Sequence, residues 1–351
     1  MAITLQTKTG EFKLDSDDAS ETLLFRGLSA GLSLPYECAT GTCGTCRARV
    51  MSGDVEMAWP EAPGASRLKR DKGDILLCQS HAKGECVLRV PSDVHSGDRA
   101  AAPHRINGRL EGLKKLTSDV VDFEVALEQP VAFAAGQFMV VTAPGLTGGR
   151  AYSMVNYAPE TDRIRFVVKR KPGGGFSNWL FADQAEGAGI SLFGPLGTAT
   201  LRPGEDGDLV CITGGSGIAG IMSILDHATK AGHFSSNKGW LYFGVRTLAD
   251  GFYLKELAGL VEKSGGALQV ILALSDEAAP AASHPDYPSI QLHEGFVHEV
   301  AARGVKDFCG DLNERTIGFV AGPPPMVDGA IRVLLSEAKL PPSRIRYDKF
   351  S

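Results

Sequence analysis

Cys38-Ala39-Thr40-Gly41-Thr42-Cys43-Gly44-Thr45-Cys46, completed by Cys78, is the stretch around which the chain is organised. The spacing is C-x4-C-x2-C with a distant fourth cysteine, the ligand pattern of a plant-type [2Fe-2S] cluster. Such a cluster takes two thiolates on each iron, because soft sulfur matches iron and inorganic sulfide. Gly41 and Gly44 allow the backbone to curl and turn its N–H groups toward the sulfurs, where hydrogen bonds tune the cluster. A zinc site is the competing reading, but it pairs C-x2-C with a second close pair, and here Cys78 stands alone.

Composition sets wide bounds. The 351 residues suffice for two or three domains, and 43% hydrophobic content supplies a core for each. A net charge of -5 and a pI near 5.9 give no basic footprint for nucleic acid or an anionic membrane. Met1 to Asp18 shows no charged start leading into an apolar segment, and no uncharged run reaches a membrane-spanning length, so the expected location is cytoplasmic. Seven cysteines is an odd number. With four in one local pattern, Cys86, Cys211 and Cys309 read as buried or incidental thiols in a reducing compartment.

In the first hundred residues, Ile3 to Gln6 and Glu11 to Leu14 flank a Thr9-Gly10 turn, predicting a hairpin. A helix follows, with Asp18 as cap, Glu21 three residues on, and Leu24, Phe25 and Leu28 on one face. It ends at Gly31, and Pro35 opens the cysteine loop. Short strands are expected at Arg47 to Met51, Ile75 to Leu77 and Cys86 to Val90. This arrangement resembles the plant-type ferredoxin fold, a β-grasp sheet gripping a helix, over residues 1–93. Residues 1–95 carry 11 Lys and Arg against 13 Asp and Glu, too even to give a docking surface a sign. The Ser-, Gly-, Asp- and Ala-rich stretch up to Pro103 reads as a linker, drawn at residues 94–103.

From His104 the pattern becomes short strands and turns: Gly108 to Leu116, Val120 to Leu127, Gly136 to Thr142, Arg150 to Asn156 and Ile164 to Lys169. Even spacing predicts a small antiparallel barrel over residues 104–204. Arg150-Ala151-Tyr152-Ser153 and, after it, Gly173-Gly174-Gly175-Phe176-Ser177 imply a phosphate-bearing aromatic cofactor. Arg150 offers a fork of donors for a pyrophosphate, Tyr152 an aromatic face beside a flat ring, and Ser153 a hydroxyl for a ring nitrogen. Gly174, Gly175 and Ser177 open a helix whose free N–H groups suit the same pyrophosphate. Taken singly, each string is common; their order and separation are not. The pair resembles the flavin domain of the ferredoxin-NADP+ reductase superfamily, which implies FAD, with Tyr152 against the isoalloxazine and Ser153 near N5.

After Gly207 apolar strands alternate with helices, predicting a doubly wound parallel sheet over residues 205–351. Leu209 to Thr213 runs into Gly214-Gly215-Ser216-Gly217 and an apolar helix. That is either a nucleotide loop or a packing turn. Strands at Trp240 to Val245, Leu268 to Leu274 and Thr316 to Ala321 end at one edge, the last in Gly322-Pro323-Pro324-Pro325-Met326 and a helix from Val327 to Glu337. This part resembles the nicotinamide-binding domain of the same superfamily, with its G-G-[ST]-G and C-G-P-P-P-M loops. Ala321 stands where the family has cysteine, and Gly220 where it often has proline. Arg246-Thr247-Leu248-Ala249-Asp250, with Tyr253, matches the segment that meets the adenosine end; Arg246 stands alone there, which favours NADH over NADPH. The penultimate Phe350 resembles the aromatic that shields the flavin, so Ser153 and Phe350 are the residues the resemblance assigns to catalysis. His293 and His298 are five apart and cannot share a helix face as zinc-protease ligands do.

Over its whole length the chain resembles the reductase components of bacterial multicomponent oxygenases, such as toluene and xylene monooxygenase reductases; Trp59-Pro60-Glu61-Ala62-Pro63-Gly64 is part of that likeness. The resemblance implies a monomeric, multidomain α+β and α/β reductase that carries electrons from NADH through FAD and the cluster. Their destination would be a separate non-haem iron oxygenase, di-iron or Rieske, reached directly or through an intermediary ferredoxin. A reductase serving another hydroxylase or cytochrome system, and a non-catalytic redox sensor, remain as alternatives.

Overall fold

The computed structural model describes residues 2–15, 20–182, 185–308 and 314–349. At the N-terminus β1 (Ala2–Gln6) and β2 (Glu11–Asp15) form the expected hairpin. Then come α1 (Leu23–Ser29), β3 (Arg47–Ser52), β4 (Val55–Met57), β5 (Asp74–Leu76), β6 (Ser80–Ala82) and β7 (Cys86–Arg89). The main sheet has the order β2-β1-β7-β3-β5, with β1 and β7 parallel, and α1 buries Leu23, Leu24, Phe25 and Leu28 against it. This is the β-grasp arrangement. The cap of α1 is Thr22, whose hydroxyl accepts from the Phe25 N–H. Asp18, the expected cap, lies outside the described residues.

The middle of the chain folds as β8 (His104–Lys115), β9 (Val120–Ala132), β10 (Phe138–Thr142), β11 (Arg150–Ser153), β12 (Glu160–Lys169), α2 (Gly175–Leu180) and β13 (Gly189–Leu196). These strands form an antiparallel sheet in the order β11-β10-β13-β8-β9-β12. It curls until the edge strands meet, where Val155 N–H donates to Arg165 O at 2.9 Å. Alternation along β10 serves two cores. Met139 and Val141 point into the barrel with Phe123 and Phe166, while Phe138 and Val140 join the core of the N-terminal sheet.

The C-terminal part contains β14 (Leu209–Gly214), α3 (Ile218–Lys230), β15 (Gly239–Val245), α4 (Leu254–Lys263), β16 (Leu268–Leu274), β17 (Ile290–Glu294), α5 (Val297–Phe308), β18 (Ile317–Gly322), α6 (Pro324–Ser336) and β19 (Ile345–Lys349). All six strands are parallel, in the order β17-β16-β15-β14-β18-β19. Both faces are covered, so central strands read as continuous apolar runs. Leu209 and Cys211 of β14 pack beneath α3 and α4, and Val210 and Ile212 beneath α5 and α6.

The three parts are fastened together. Phe25 of α1 stacks on Phe193 of β13 with centroids 3.9 Å apart, and Gly197 N–H donates to Tyr36 Oη at 3.0 Å. Between barrel and parallel sheet, the Tyr253 hydroxyl donates to the Asp122 carboxylate and Arg346 to Thr200 O at 2.6 Å. The guanidinium of Arg346 also pairs with Glu205.

Candidate functional site

A cavity of about 770 Å³ lies where the three parts meet. The cysteine loop reaches it through Cys38, Thr40 and Thr42, the barrel through Arg150, Tyr152 and Ser153, and the parallel sheet through Gly214 to Gly217 and Gly322. Each predicted motif comes from a different sheet, yet all three face one chamber.

The cysteine loop is shaped by positive φ at Ala39 (56°), Gly41 (92°) and Gly44 (84°). Its N–H groups turn inward: Thr40 and Cys43 donate to Cys38 Sγ at 3.5 and 3.4 Å, and Thr45 to Cys43 Sγ at 3.5 Å. The sulfurs fall in two pairs. Cys46 and Cys78 approach to 3.2 Å, and Cys38 and Cys43 share a thiol hydrogen bond. That bond pulls the Cys38 thiol down to about 4 and pushes Cys43 up. Two pairs of sulfurs inside a ring of N–H donors fit the four-thiolate demand of a [2Fe-2S] group. Cys86 and Cys211 are buried apart from the loop, and Cys309 lies outside the described residues.

On the barrel, Arg150 is exposed at the start of β11 and Tyr152 packs 5.4 Å from Phe176. Ser153 is 5% exposed, and its Oγ has no hydrogen-bond partner. A buried hydroxyl without a partner costs stability unless something satisfies it, so its position on the cavity wall fits a ring heteroatom of a bound flavin. Gly174 caps α2, and a Cβ there would fall 2.6 Å from Ser177 Oγ, which accepts from Lys171 N–H at 3.0 Å. Ser177 therefore shapes the turn with its hydroxyl. Gly174, Gly175 and Ser177 all line the cavity.

On the parallel sheet the two predicted loops nest together. A Cβ on Gly217 would lie 2.5 Å from Ala321 O, which accepts from Thr213 Oγ1 at 2.8 Å. Gly215 has φ 54° and Gly322 φ 151°, and Pro323 caps α6 beside them. With glycine backbone bare at the carboxyl ends of β14 and β18, a dinucleotide can approach closely. Arg246 reaches the cavity from the end of β15, held at 3.3 Å by both Asp119 of the barrel and Asp250.

One residue differs from expectation. Tyr253 does not face the cavity: it is 4% exposed, has φ 59°, and its hydroxyl donates to Asp122 while Arg165 lies 5.6 Å from its ring. Phe350 lies outside the described residues. The sequence reading missed Phe296, 58% exposed on the cavity wall beside Val297. Its neighbourhood carries only a false metal motif, and His293 and His298 indeed sit on different elements, β17 and α5. Trp59 and Pro63 also line the cavity.

A cysteine loop, a flavin-shaped barrel wall and a dinucleotide crevice around one chamber define a flavin- and iron-sulfur-dependent pyridine-nucleotide oxidoreductase. Comparison with known sequences agrees. Residues 4–83 match the 2Fe-2S iron-sulfur cluster binding domain, 107–201 the oxidoreductase FAD-binding domain and 211–332 the oxidoreductase NAD-binding domain. The ferredoxin--NAD(+) reductase component of the alkene monooxygenase system of Xanthobacter autotrophicus is 35% identical, over 95% of this chain and 96% of its own. Ferredoxin--NAD(P)(+) reductase CarAd of Metapseudomonas resinovorans is 33% identical over 95% of each. Among solved structures, the ferredoxin reductase in carbazole 1,9a-dioxygenase superposes with a TM-score of 0.81 at 29% identity, covering 100% of this chain and 99% of that one. A cytochrome P450 reductase of Amycolatopsis superposes at 0.79, also 29% identical, over 99% and 98%. The chain belongs to the ferredoxin-NADP+ reductase superfamily, among the oxygenase-system reductases with an N-terminal [2Fe-2S] domain. Its cofactors are the [2Fe-2S] cluster, FAD and NADH.

Proposed function

We propose that this reductase delivers electrons from NADH to a separate non-haem iron oxygenase, di-iron or Rieske, directly or through an intermediary ferredoxin, in the oxidation of hydrocarbon or aromatic substrates. The observation that carries the reading is the shared chamber: Cys38, Ser153 and Gly217 line one cavity. Bound FAD supplies the conversion of a two-electron hydride into single electrons that a cluster can take. The chain's own residues hold the participants. Cys38, Cys43, Cys46 and Cys78 would ligate the cluster; Arg150, with Gly174, Gly175 and Ser177 at the start of α2, would hold the pyrophosphate of FAD. By the resemblance, Tyr152 would lie against the ring, Ser153 would donate a hydrogen bond near N5, and Phe350 would be the aromatic that shields the flavin. Gly214, Gly215, Ser216, Gly217, Gly322 and Pro323 receive NADH. Arg246 meets its adenosine end, and its guanidinium is already paired with Asp119 and Asp250, which leaves it less available to a 2′-phosphate and supports NADH over NADPH.

Four units serve these roles: a ferredoxin domain at 1–93, a linker at 94–103, an FAD barrel at 104–204 and an NAD(H) domain at 205–351. No described helix is long and apolar enough to cross a membrane, and the reading is of a monomer working in the cytoplasm. The test supplies purified protein with NADH and a panel of oxygenase components, intermediary ferredoxins and a cytochrome P450. Coupled turnover with an oxygenase, a higher kcat/KM for NADH than NADPH, and loss of turnover but not of ferricyanide reduction in Cys78→Ser are expected. Turnover with the cytochrome alone would overturn the assigned acceptor.

A further inference from the structure

We propose that the electron acceptor docks by a carboxylate-rich face onto a basic ridge, residues 66–72, beside the outer edge of the cysteine loop. The inference rests on the proposed function above, in which the [2Fe-2S] cluster is the exit port of the electrons, and adds the polarity and place of the contact.

The loop has two sides. Cys38, Thr40 and Thr42 face the flavin chamber, whereas Cys43, Thr45 and Arg47 are exposed and do not line it. Against that outer edge lies the segment after Trp59. Gly64 N–H donates to Gly41 O at 2.9 Å, and a Cβ on Gly64 would fall 2.6 Å from Gly44 N, so the two backbones touch. A 3-10 turn, Pro63–Arg67, rises from this contact, and a second, Arg70–Lys72, returns the chain to β5. The return is pinned by Asp74, which accepts from Lys69 N–H at 3.2 Å and from Arg49 Nε at 2.8 Å.

Arg67, Lys69, Arg70 and Lys72 are exposed, with Asp71 the single carboxylate in the segment. None of the four cations has an ion-pair partner among the described residues, while nearby Arg49 is paired with Asp74. Arg47, directly after Cys46, is exposed as well, and its charge reaches Asp74, the residue that pins the ridge. Residues 1–95 hold 11 cations and 13 carboxylates, so the rest of this domain is distinctly acidic. Cations concentrated at the exposed edge of the cluster loop, on an otherwise acidic domain, make a directional field that draws and orients an acidic partner.

The experiment measures NADH-driven reduction of two protein probes by the holoenzyme: the carboxylate-ringed soluble domain of cytochrome b5 and the basic cytochrome c. Wild-type reduction of cytochrome b5 should fall as salt is raised. The variant R67E/K69E/R70E should reduce it about tenfold more slowly at low salt, and cytochrome c faster, with cluster absorbance and ferricyanide reduction unchanged. Salt-independent cytochrome b5 reduction by the wild type, equal rates of both probes in wild type and variant, or a parallel fall in both, overturns the docking surface. Ferricyanide reduction with neither cytochrome reduced would instead overturn the exit-port reading itself.

Discussion

The hydroxyl of Tyr253, on the parallel-sheet side, donates to the carboxylate of Asp122 on the barrel, 131 residues away in sequence. Arg165 completes the contact, bonding Asp122 at 2.9 Å and lying over the tyrosine ring. Tyr253 sits at φ 59°, which only a well-determined contact sustains in a bulky residue. Burial first, then the charge of Asp122, pushes the phenol pKa upward, so it stays a neutral donor at physiological pH. Tyr253→Phe leaves Asp122 short of a donor and should cost about 1–3 kcal/mol, read by denaturant melts of the holoenzyme. An unchanged midpoint would mean the contact does not couple barrel and sheet.

Ser153 gives a sharper test of the flavin wall, because its Oγ is buried and unpartnered among the protein's own groups. Ser153→Ala should retain full FAD, since shape is preserved, yet slow flavin reduction by NADH about tenfold, the worth of one hydrogen bond. Arg150→Ala should do the opposite and yield flavin-poor protein. Absorbance ratios and anaerobic stopped-flow traces separate the two; FAD loss from the serine variant would contradict the assignment.

The nested glycine loops separate crowding from conformational freedom. Gly217→Ala forces a Cβ to within 2.5 Å of Ala321 O, so the loops must part. We expect a loss of about 1–3 kcal/mol and a KM for NADH raised tenfold or more. Gly215 has φ 54°, but the place a Cβ would take there has no atom within 4 Å, so Gly215→Ala should cost only about 1 kcal/mol. Equal effects on KM would show that the nesting is irrelevant to the nucleotide.

The sequence conveyed elements whose signal is local. The cysteine spacing, the R-x-Y-S strand and both glycine loops all stand at one cavity. What it withheld depends on distant partners or on weak edges. β13 is missing from the expected strands, its run being broken by Gly194-Pro195, although six of its residues pair with β8. β19 is a charged edge strand, Ile345-Arg346-Tyr347-Asp348-Lys349, whose one sheet neighbour among the described residues is β18. β17 alternates too briefly to stand out. Tyr253 looked like an adenosine contact because its motif predicts one; nothing local reveals that Asp122 takes its hydroxyl.

A pH effect follows from Asp348, which lines a second cavity together with Tyr36 and Glu37 of the cysteine-loop side. Burial, and secondarily the charge of Glu37, pushes its carboxyl up to about 7. An ordinary aspartate titrates near 3.9 when unfolded. Between those values the folded chain holds a proton that the unfolded chain has released, so unfolding sheds protons and stability falls as pH rises. The decline begins near the unfolded pKa and levels off above the folded one. Melting temperatures of wild type should therefore drop from about pH 5 to about pH 8, and Asp348→Asn should flatten that slope. Because Asp348 keeps some exposure to solvent, the effect is smaller than for a sealed carboxylate. An identical slope in both proteins would show that Asp348 is ionised in the folded chain throughout.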